Sequence, residues 1–349
     1  MMIARGFYDE VLKLNQELLV QGDYPVSIRW IARTLFEQND FEHALEWYRR
    51  GLQAPSRSEE DDAASWQGIA SIDLCQGRYD DAEENLRNAL DVYRRKGDVK
   101  GEAEVLRGLA STEMAKGDYE NARENLSRVL QTQIRTEDLS GQVSTLKDLI
   151  AIDLHQKDRD AAIGKLNRSV EIFRKLGHPA GEAAALYDLA SLDLEKEDFD
   201  SATEKFQRAL KIRRQIGDGE GEAAALHSLA MIDAQKGKVQ EASEKFMDAL
   251  KIYQQTGDRS GEAAAFFQLG ILAVRLSNNM NDGMKLLALS GIILRSIGSP
   301  EVRNVEPVIE RMASHMKYTQ DKFAELVREA AMAYRKGKGW GLLEAAFQS

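Results

Sequence analysis

The amino-acid sequence predicts an all-α protein, a right-handed solenoid of about seven helix hairpins with capping helices at both ends. The pair Gly-Glu recurs in steps of 40 residues, at Gly101, Gly181, Gly221 and Gly261, and Gly141-Gln142 completes the series. Within each period, apolar residues are spaced by three and four positions, as on one face of a helix. A fixed period of this length is typical of solenoids, in which each unit packs only on its neighbours.

Composition agrees with a helical chain and excludes several classes of protein. Of the 349 residues, 30% are charged, 7% are aromatic and only 5 are proline, so helix breakers are few. The net charge of −10 argues against a nucleic-acid partner for the molecule as a whole. The single cysteine, Cys75, excludes an internal disulfide and indicates a reducing compartment, so we expect a cytoplasmic protein. No apolar run is long enough to span a membrane and the start has no signal-peptide pattern, so no membrane association is expected.

Each repeat is built from two predicted amphipathic helices. The first helix carries two apolar columns three residues apart: Trp66, Leu106, Leu146, Leu186, Leu226 and Phe266, then Leu109, Leu149, Leu189, Leu229 and Leu269. The second helix carries a small column and, four residues later, a large one: Ala82, Ala122, Ala162, Ala202 and Ala242, then Leu86, Leu126, Leu166, Phe206 and Phe246. The alanines allow two helices to approach closely while the large residues fill the space around them. Helices of about 15 residues are marginal alone, so each hairpin needs its neighbours.

Glycines and prolines mark the ends of these helices. Gly77, Gly117 and Gly237 suit the left-handed position that ends a first helix, and Gly-Asp at 97–98, 217–218 and 257–258 suits the end of a second helix. Four of the five prolines, Pro25, Pro55, Pro179 and Pro300, fall at expected repeat boundaries.

The chain is therefore divided into an array and two flanking segments. We predict an N-terminal capping helix in 1–24, repeats at 25–60, 61–100, 101–140, 141–180, 181–220, 221–260 and 261–298, and C-terminal capping helices with a tail in 299–349. The last repeat is degenerate, because Asp282 replaces the packing alanine and its second helix is apolar on more than one face, which must be covered. Pro307 is expected in a first helical turn. The apolar tail around Trp340 is interpreted as a folded-back cap, and a segment that inserts into a groove is the alternative.

The pattern Leu226-x-x-Leu229-Ala230, followed by Ala242-x-x-x-Phe246-x-x-Ala249, resembles the tetratricopeptide repeat in its forty-residue variant. The resemblance covers roughly 25–298 and implies a scaffold without enzymatic activity. One departure is an acidic column where the family often has an aromatic residue: Asp73, Glu113, Asp153, Asp193 and Asp233. We interpret these acids as structural polar contacts, with Lys196 and Lys236 pairing along the helix with Asp193 and Asp233; a ligand site is the alternative.

The resemblance also implies a binding surface. In such solenoids the first helix of each pair lines the concave face, and its fifth position points into the groove. The matching residues are Arg29, Gln67, Arg107, Lys147, Tyr187, His227 and Phe267, with Arg33 following Arg29 by four residues. The N-terminal half is basic and the C-terminal half aromatic, which predicts capture of an acidic segment with aromatic anchors further along. The alternative is that these are ordinary solvated charges, compensated by Glu104, Asp148 and Asp188.

Catalytic and cofactor chemistry finds no support in the sequence. The five histidines are isolated and lack metal-ligand spacing, so no metal and no cofactor are expected. Cys75 is interpreted as a small packing residue. The glycine runs at 217–221 and 337–341 follow helices, whereas a phosphate loop follows a strand.

The sequence thus favours a non-enzymatic scaffold that binds a peptide or helical segment of a protein partner in its groove. Two alternatives stay open. One is a regulatory sensor module that responds to a small ligand or signal peptide. The other is a structural homo-oligomer formed through the C-terminal region, by the apolar helix near 284–294 or by the tail.

Overall fold

The computed structural model describes residues 24–275 and 280–347, and within these ranges it contains seventeen α-helices and no β-strand. In chain order they are α1 Pro25–Glu37, α2 Phe41–Gly51, α3 Glu59–Cys75, α4 Tyr79–Lys96, α5 Val99–Lys116, α6 Tyr119–Arg135, α7 Leu139–His155, α8 Arg159–Lys175, α9 Pro179–Glu195, α10 Phe199–Ile216, α11 Gly219–Gln235, α12 Val239–Thr256, α13 Arg259–Arg275, α14 Met280–Ser296, α15 Val302–His315, α16 Gln320–Gly337 and α17 Trp340–Phe347. The predicted all-α repeat fold is confirmed. The capping helix expected in 1–24 lies outside the described residues but for Tyr24.

Helices α1–α14 follow one another as seven pairs, which we call the first to the seventh hairpin. The two helices of a pair pack together in α1–α2, α3–α4, α5–α6, α9–α10, α11–α12 and α13–α14. The chain divides into two compact units, one ending at Lys165 and the other beginning at Leu166, so the division falls inside α8. We refer to them as unit 1 and unit 2. The domain boundaries expected from the sequence stay a prediction.

The core of each unit is built from the repeated columns. In unit 1, Leu126, Leu146 and Leu149 are almost completely buried. In unit 2, Phe206 and Phe246 stand in the same repeat column as Leu126, and they are also almost completely buried. The column alanines are fully buried, which explains their size, because a larger side chain there would separate the two helices of a hairpin.

The predicted helix ends are confirmed, and they have a second role. Gly97, Gly117 and Gly217 have φ of 69°, 82° and 71°, a left-handed conformation that costs glycine little. The aspartate that follows each end caps the next helix. Asp98 Oδ1 accepts the backbone N–H groups of Lys100 and Gly101 at 3.1 and 3.0 Å. The Gly-Asp pair thus ends one helix and begins another within two residues.

The helices after the last hairpin differ from expectation at one point. Pro307 was expected in a first helical turn, but α15 begins at Val302, so the proline lies inside the helix. It lacks an N–H group, and the helix therefore loses one backbone hydrogen bond there. Helix α16 lies within the segment 299–349, for which capping helices are predicted.

The tail folds back onto the last hairpin, as the cap interpretation expects. Helix α14 packs against α15, α16 and α17, which cover its second apolar face. Trp340 Nε1 donates to Gln254 Oε1 at 2.9 Å, and Gln254 Nε2 donates to the carbonyl of Lys338 at 3.1 Å. Gly339, with φ of 86°, lies so close to Phe266 and Leu289 that a Cβ there would be 2.8 and 3.0 Å from their side chains.

Candidate functional site

Four of the predicted groove residues line one cleft in unit 1. Arg29 and Arg33 on α1, Gln67 on α3 and Arg107 on α5 surround a cleft of about 660 Å³. The repeat brings them together because successive first helices present the same register position to the same side. Lys147, on α7, is exposed and does not line this cleft.

Aromatic rings from the second helices form the floor of this cleft. Tyr48 on α2 and Tyr93 on α4 line it while remaining 6% and 8% exposed, and Trp30, 51% exposed, stands at the rim. Burial raises the pKa of Tyr48 to about 12, so its phenol is neutral at physiological pH. The Tyr93 hydroxyl donates to Gln67 Oε1 at 2.8 Å. The cleft therefore combines a neutral aromatic floor with a cationic rim. The sequence prediction considered only the first helix of each pair and therefore did not include the floor.

Three cations on this face have no carboxylate partner among the described residues. Arg107 donates to Ser144 Oγ at 3.4 Å, Arg33 lies 5.9 Å from the centre of the Trp30 ring, and Lys147 is exposed. Arg29 differs, because its guanidinium lies 3.2 Å from Asp61 Oδ1. Most of the predicted basic half therefore keeps its charge available for a ligand.

Acidic residues offset part of this charge, as the alternative interpretation expects. Glu104 lines the cleft beside Arg107. Asp148, on α7, is half-buried, and burial raises the pKa of its carboxyl although Arg107 and Lys147 lower it in part. The raised pKa shows that these two cations are not close enough to Asp148 to offset its burial.

The Gly-Glu pair has a structural explanation: it receives two side chains from the end of the preceding hairpin. The residue eight positions before the glycine lies directly on it, so that a Cβ would overlap the side chain; the pairs are Tyr93 on Gly101, Phe173 on Gly181, Arg213 on Gly221 and Tyr253 on Gly261. In three of the four pairs the glutamate binds an arginine eight positions before it, at 3.0, 2.5 and 2.7 Å for Arg94–Glu102, Arg174–Glu182 and Arg214–Glu222, and in the fourth Gln254 Nε2 donates to Glu262 Oε1 at 2.9 Å. Both residues therefore serve the packing of one hairpin on the next.

The junction between the third and fourth hairpins departs from this rule. Gln133 takes the place of the ring above Gly141, and Ile134, 44% exposed, takes the place of the arginine. Gln142 replaces the glutamate and donates to the carbonyl of Gln133 at 3.2 Å. A second cleft, of about 550 Å³, lies at this junction and shares Arg107 with the first.

The aromatic residues predicted for the groove lie in unit 2 and contact its own core. The Tyr187 hydroxyl lies 3.0 Å from Ser228 Oγ, and its ring meets Phe206 edge-on at 5.0 Å between centroids. Phe267 packs against the apolar cluster around Met284 and Ile309. Both are only partly buried, so their use as anchors for a ligand stays a prediction.

His227, the remaining groove position, is largely enclosed. Its ring meets Phe246 edge-on at 4.9 Å between centroids, and its Nδ1 is buried with no hydrogen-bond partner in the described part of the chain. Burial lowers the pKa of its imidazole from 6.5 to about 4. The neutral ring is therefore the form that the folded protein accepts.

We expect this histidine to weaken the fold in acid. Between pH 6.5 and about 4 the unfolded chain binds a proton at His227 that the folded chain does not. The free energy of unfolding therefore decreases as the pH is lowered through this range. The loss at pH 5 should be about 1–2 kcal/mol relative to pH 7. When the free energy of unfolding is measured in urea at several pH values, His227→Gln should remove this part of its dependence on pH. His315→Gln, at an exposed site, should leave that dependence unchanged. Equal slopes in all three proteins would contradict the assignment.

The acidic column connects the two helices of a hairpin. Its members bind the residue twelve positions later, on the second helix: Asn85 with Asp73 at 3.2 Å, Asn125 with Glu113 at 2.9 Å, and Lys165, Lys205 and Lys245 with Asp153, Asp193 and Asp233 at 2.6, 2.5 and 2.6 Å. Asp153 also binds Arg123 of the preceding hairpin at 2.5 Å. These contacts support the structural interpretation of the column over a ligand site.

The expected partner of Asp233 was wrong. Lys236 binds Asp200 of the preceding repeat, with Nζ 2.7 Å from Oδ1, and Asp233 binds Lys245. Asp233 points toward the second helix of its own hairpin, whereas Lys236 lies at the end of α11 and extends toward α10. Spacing along one helix could not reveal either contact, because each joins two helices.

Cys75 was interpreted as a packing residue, and this is also wrong, because its side chain is exposed at the end of α3. The packing positions of α3 are occupied by Ile72 and Ala70, both fully buried. Within the described ranges, no group of three or more histidine, cysteine or acidic residues is placed to hold a metal ion.

These features define a helical-repeat protein whose first helices present a cationic, aromatic-floored face in unit 1. None of the helices that the structure describes is both long and apolar enough to cross a membrane. A family model described as tetratricopeptide repeat matches residues 61–135 and 141–215. The resemblance to the tetratricopeptide repeat is therefore confirmed over these two stretches of the chain. Among curated protein sequences none matches it.

Solved structures share this fold at low sequence identity. The apo form of the quorum sensor NprR from B. thuringiensis is 13% identical, with a TM-score of 0.59 over 94% of this chain and 98% of that one. A signal transduction ATPase with a tetratricopeptide repeat sensor from Pyrococcus horikoshii is 17% identical, with a TM-score of 0.61 over 97% of this chain and 55% of that one. BtubC from P. vanneervenii is 20% identical, with a TM-score of 0.52 over 61% and 90%.

Proposed function

We propose that this protein is a non-enzymatic scaffold that binds an acidic, peptide-like segment of a protein partner on the first-helix face of unit 1. The observation that carries the proposal is a set of exposed cations, Arg33, Arg107 and Lys147, which have no carboxylate partner among the described residues and of which the first two line a cleft floored by rings. Some cations elsewhere on the chain, Lys116 and Lys236 among them, are paired with acids. A charge kept unpaired on a chain of net charge −10 favours an anionic ligand.

The tetratricopeptide fold supports a scaffold for protein interaction, and the two clefts supply the concave sites that a peptide needs. Aromatic floors exclude water and strengthen contacts made at their edges. The net charge of −10 disfavours a polynucleotide, so a protein partner is favoured.

A sensor role is the second candidate. Its support is the likeness to NprR, a quorum sensor, over nearly the full length of both chains. A sensor would change shape on binding, and small-angle scattering would detect a change in the radius of gyration when a ligand is added.

A homo-oligomer formed through α14 is the weaker alternative. Its apolar residues Leu286, Leu287 and Leu289 are fully buried beneath the C-terminal helices. A second copy would therefore have to displace α15–α17 before it could reach them.

The proposal is tested by reversing two of the unpaired charges. Arg107→Glu with Lys147→Glu should reduce the capture of partners from the source cell at least about tenfold, because two attractive contacts become repulsive. Helicity and melting temperature should not change, because neither residue is buried or paired with an acid.

The matched control is Lys211→Glu with Lys251→Glu. These lysines are exposed, lie 40 residues apart on second helices and change the net charge equally. Capture that is unaffected by the groove variant, or lost equally in the control, would refute binding at this face.

A further inference from the structure

The junction between the third and fourth hairpins lacks a side chain that its counterparts have. At the other Gly-Glu junctions a large side chain covers the glycine, and three of the four are rings, Tyr93, Phe173 and Tyr253. At Gly141 a Cβ would overlap the carboxylate of Asp138 and would lie 2.7 Å from Gln133 Nε2, so polar side chains stand where the other junctions have a larger side chain. Glutamine is shorter and thinner than a tyrosine ring, so less apolar surface is covered there.

A cleft of about 550 Å³ lies at this place. Ala103 and Val129 give it apolar walls, and Gln133 and Gly141 close one side. Its charged lining residues are two cations and two acids, Lys100, Arg107, Glu104 and Asp138. The structure gives neither Lys100 nor Arg107 a carboxylate partner within the described residues. A side chain that enters the cleft therefore meets apolar walls with charges of both signs around them.

Gln133 has an unused hydrogen-bond acceptor. The residue is 8% exposed, and its Oε1 is buried without a hydrogen-bond partner in the described part of the chain. A buried acceptor without a donor destabilises the fold, and a ligand donor would remove this cost once the amide turns toward it. The first cleft shows the pairing that suits it, because the Tyr93 hydroxyl there donates to Gln67 Oε1 at 2.8 Å.

We propose that this cleft takes a tyrosine side chain of the bound segment, with its ring where the other junctions hold a ring of their own and its hydroxyl donating to Gln133 Oε1. The inference rests on the proposed function, and it assigns the residue that the acidic segment must present. Arg107, shared by both clefts, then binds a carboxylate that neighbours the tyrosine in the ligand.

The test uses a phage-displayed library of random peptides selected on the full-length chain. We expect the selected peptides to contain a tyrosine close to an acidic residue. Replacing that tyrosine with alanine in a synthetic copy should weaken binding at least about tenfold, and replacing it with phenylalanine should weaken it about threefold. Selected peptides without any preference for tyrosine would overturn the assignment.

Gln133→Tyr supplies the decisive variant, because it gives the junction the ring that Tyr93 and Tyr253 provide elsewhere. It should fold with an unchanged or higher melting temperature and bind the selected peptides at least about tenfold more weakly, since the cleft is filled. If Gln133→Tyr binds them as the native chain does while Arg107→Glu with Lys147→Glu does not, the tyrosine pocket is refuted and the proposed function stands. If the charge-reversed chain still binds them, or no peptide is selected, the proposed function fails and the pocket with it.

Discussion

A chain that ends at residue 298 is expected to lose its last hairpin and to self-associate. The deletion removes α15–α17, which cover Leu286, Leu287, Leu289 and Ile293, all at most 1% exposed in the full chain. An apolar face of this size is unstable in water, so α14 should either unfold or pack against another copy. Circular dichroism should show a loss of helix greater than the deleted residues account for, and sedimentation should show association.

A single substitution tests the same contact without deleting a segment. Leu343, on α17, is 1% exposed, and Leu343→Ala should lower the free energy of unfolding of unit 2 by about 2–4 kcal/mol. Glu344→Ala, at the exposed neighbouring position, should change it by less than about 0.5 kcal/mol. A shortened chain that stays monomeric with its remaining helix intact would contradict the capping role.

The second large effect is expected at Asp153, which we predict to be the most sensitive acid of its column. Its carboxylate is 0% exposed and binds Lys165 at 2.6 Å and Arg123 at 2.5 Å, so it joins α7 to α8 and also to the preceding hairpin. Asp153→Ala leaves two cations facing an apolar gap. The side chains of Arg123 and Lys165 are 28% and 23% exposed, so water can partly hydrate them. The free energy of unfolding should therefore fall by about 2–3 kcal/mol, which is less than for a fully buried pair.

The measurement is urea unfolding, with Asp248→Ala as the control because Asp248 is exposed on α12. The free energy of unfolding of Asp153→Asn should lie between those of Asp153→Ala and the control, because asparagine keeps the shape and one acceptor oxygen but loses the charge. Equal stability of Asp153→Ala and the control would show that the column does not join the helices.

Much of the fold could be predicted from the sequence because it depends on contacts that repeat. The alanine and leucine columns predict which helix faces pack together, and glycines that adopt a left-handed conformation, such as Gly97 and Gly117, predict where the helices end. A period of 40 residues places each such residue in the same surroundings several times. The pattern is then visible in one chain.

What could not be predicted depends on single contacts between helices. Lys236 has an acid nearby in its own helix, yet it reaches Asp200 of the preceding hairpin. Cys75 has the size of a packing residue, but the register of α3 turns it outward. Sequence spacing reports position along one helix and not the rotation of that helix against its neighbour.

The candidate site shows the same division. The period placed Arg29, Arg33, Gln67 and Arg107 on one face, and the structure brings these four to one cleft. The aromatic floor was missed because it comes from second helices. A signal for part of it was present, since a large residue stands eight positions before most Gly-Glu pairs, and Tyr93 is one of them.

Site-specific photo-crosslinking can show whether a partner binds on the first-helix face of unit 1. Ser71 is exposed and lines the first cleft, whereas Asp91 is exposed on the second helix of the same hairpin. With benzoylphenylalanine in place of Ser71, the partner should crosslink on irradiation, and the crosslink should vanish when Arg107→Glu and Lys147→Glu are added. With the same group in place of Asp91, no crosslink should form. Crosslinking from Asp91 and not from Ser71 would place the partner on the opposite face and contradict the account.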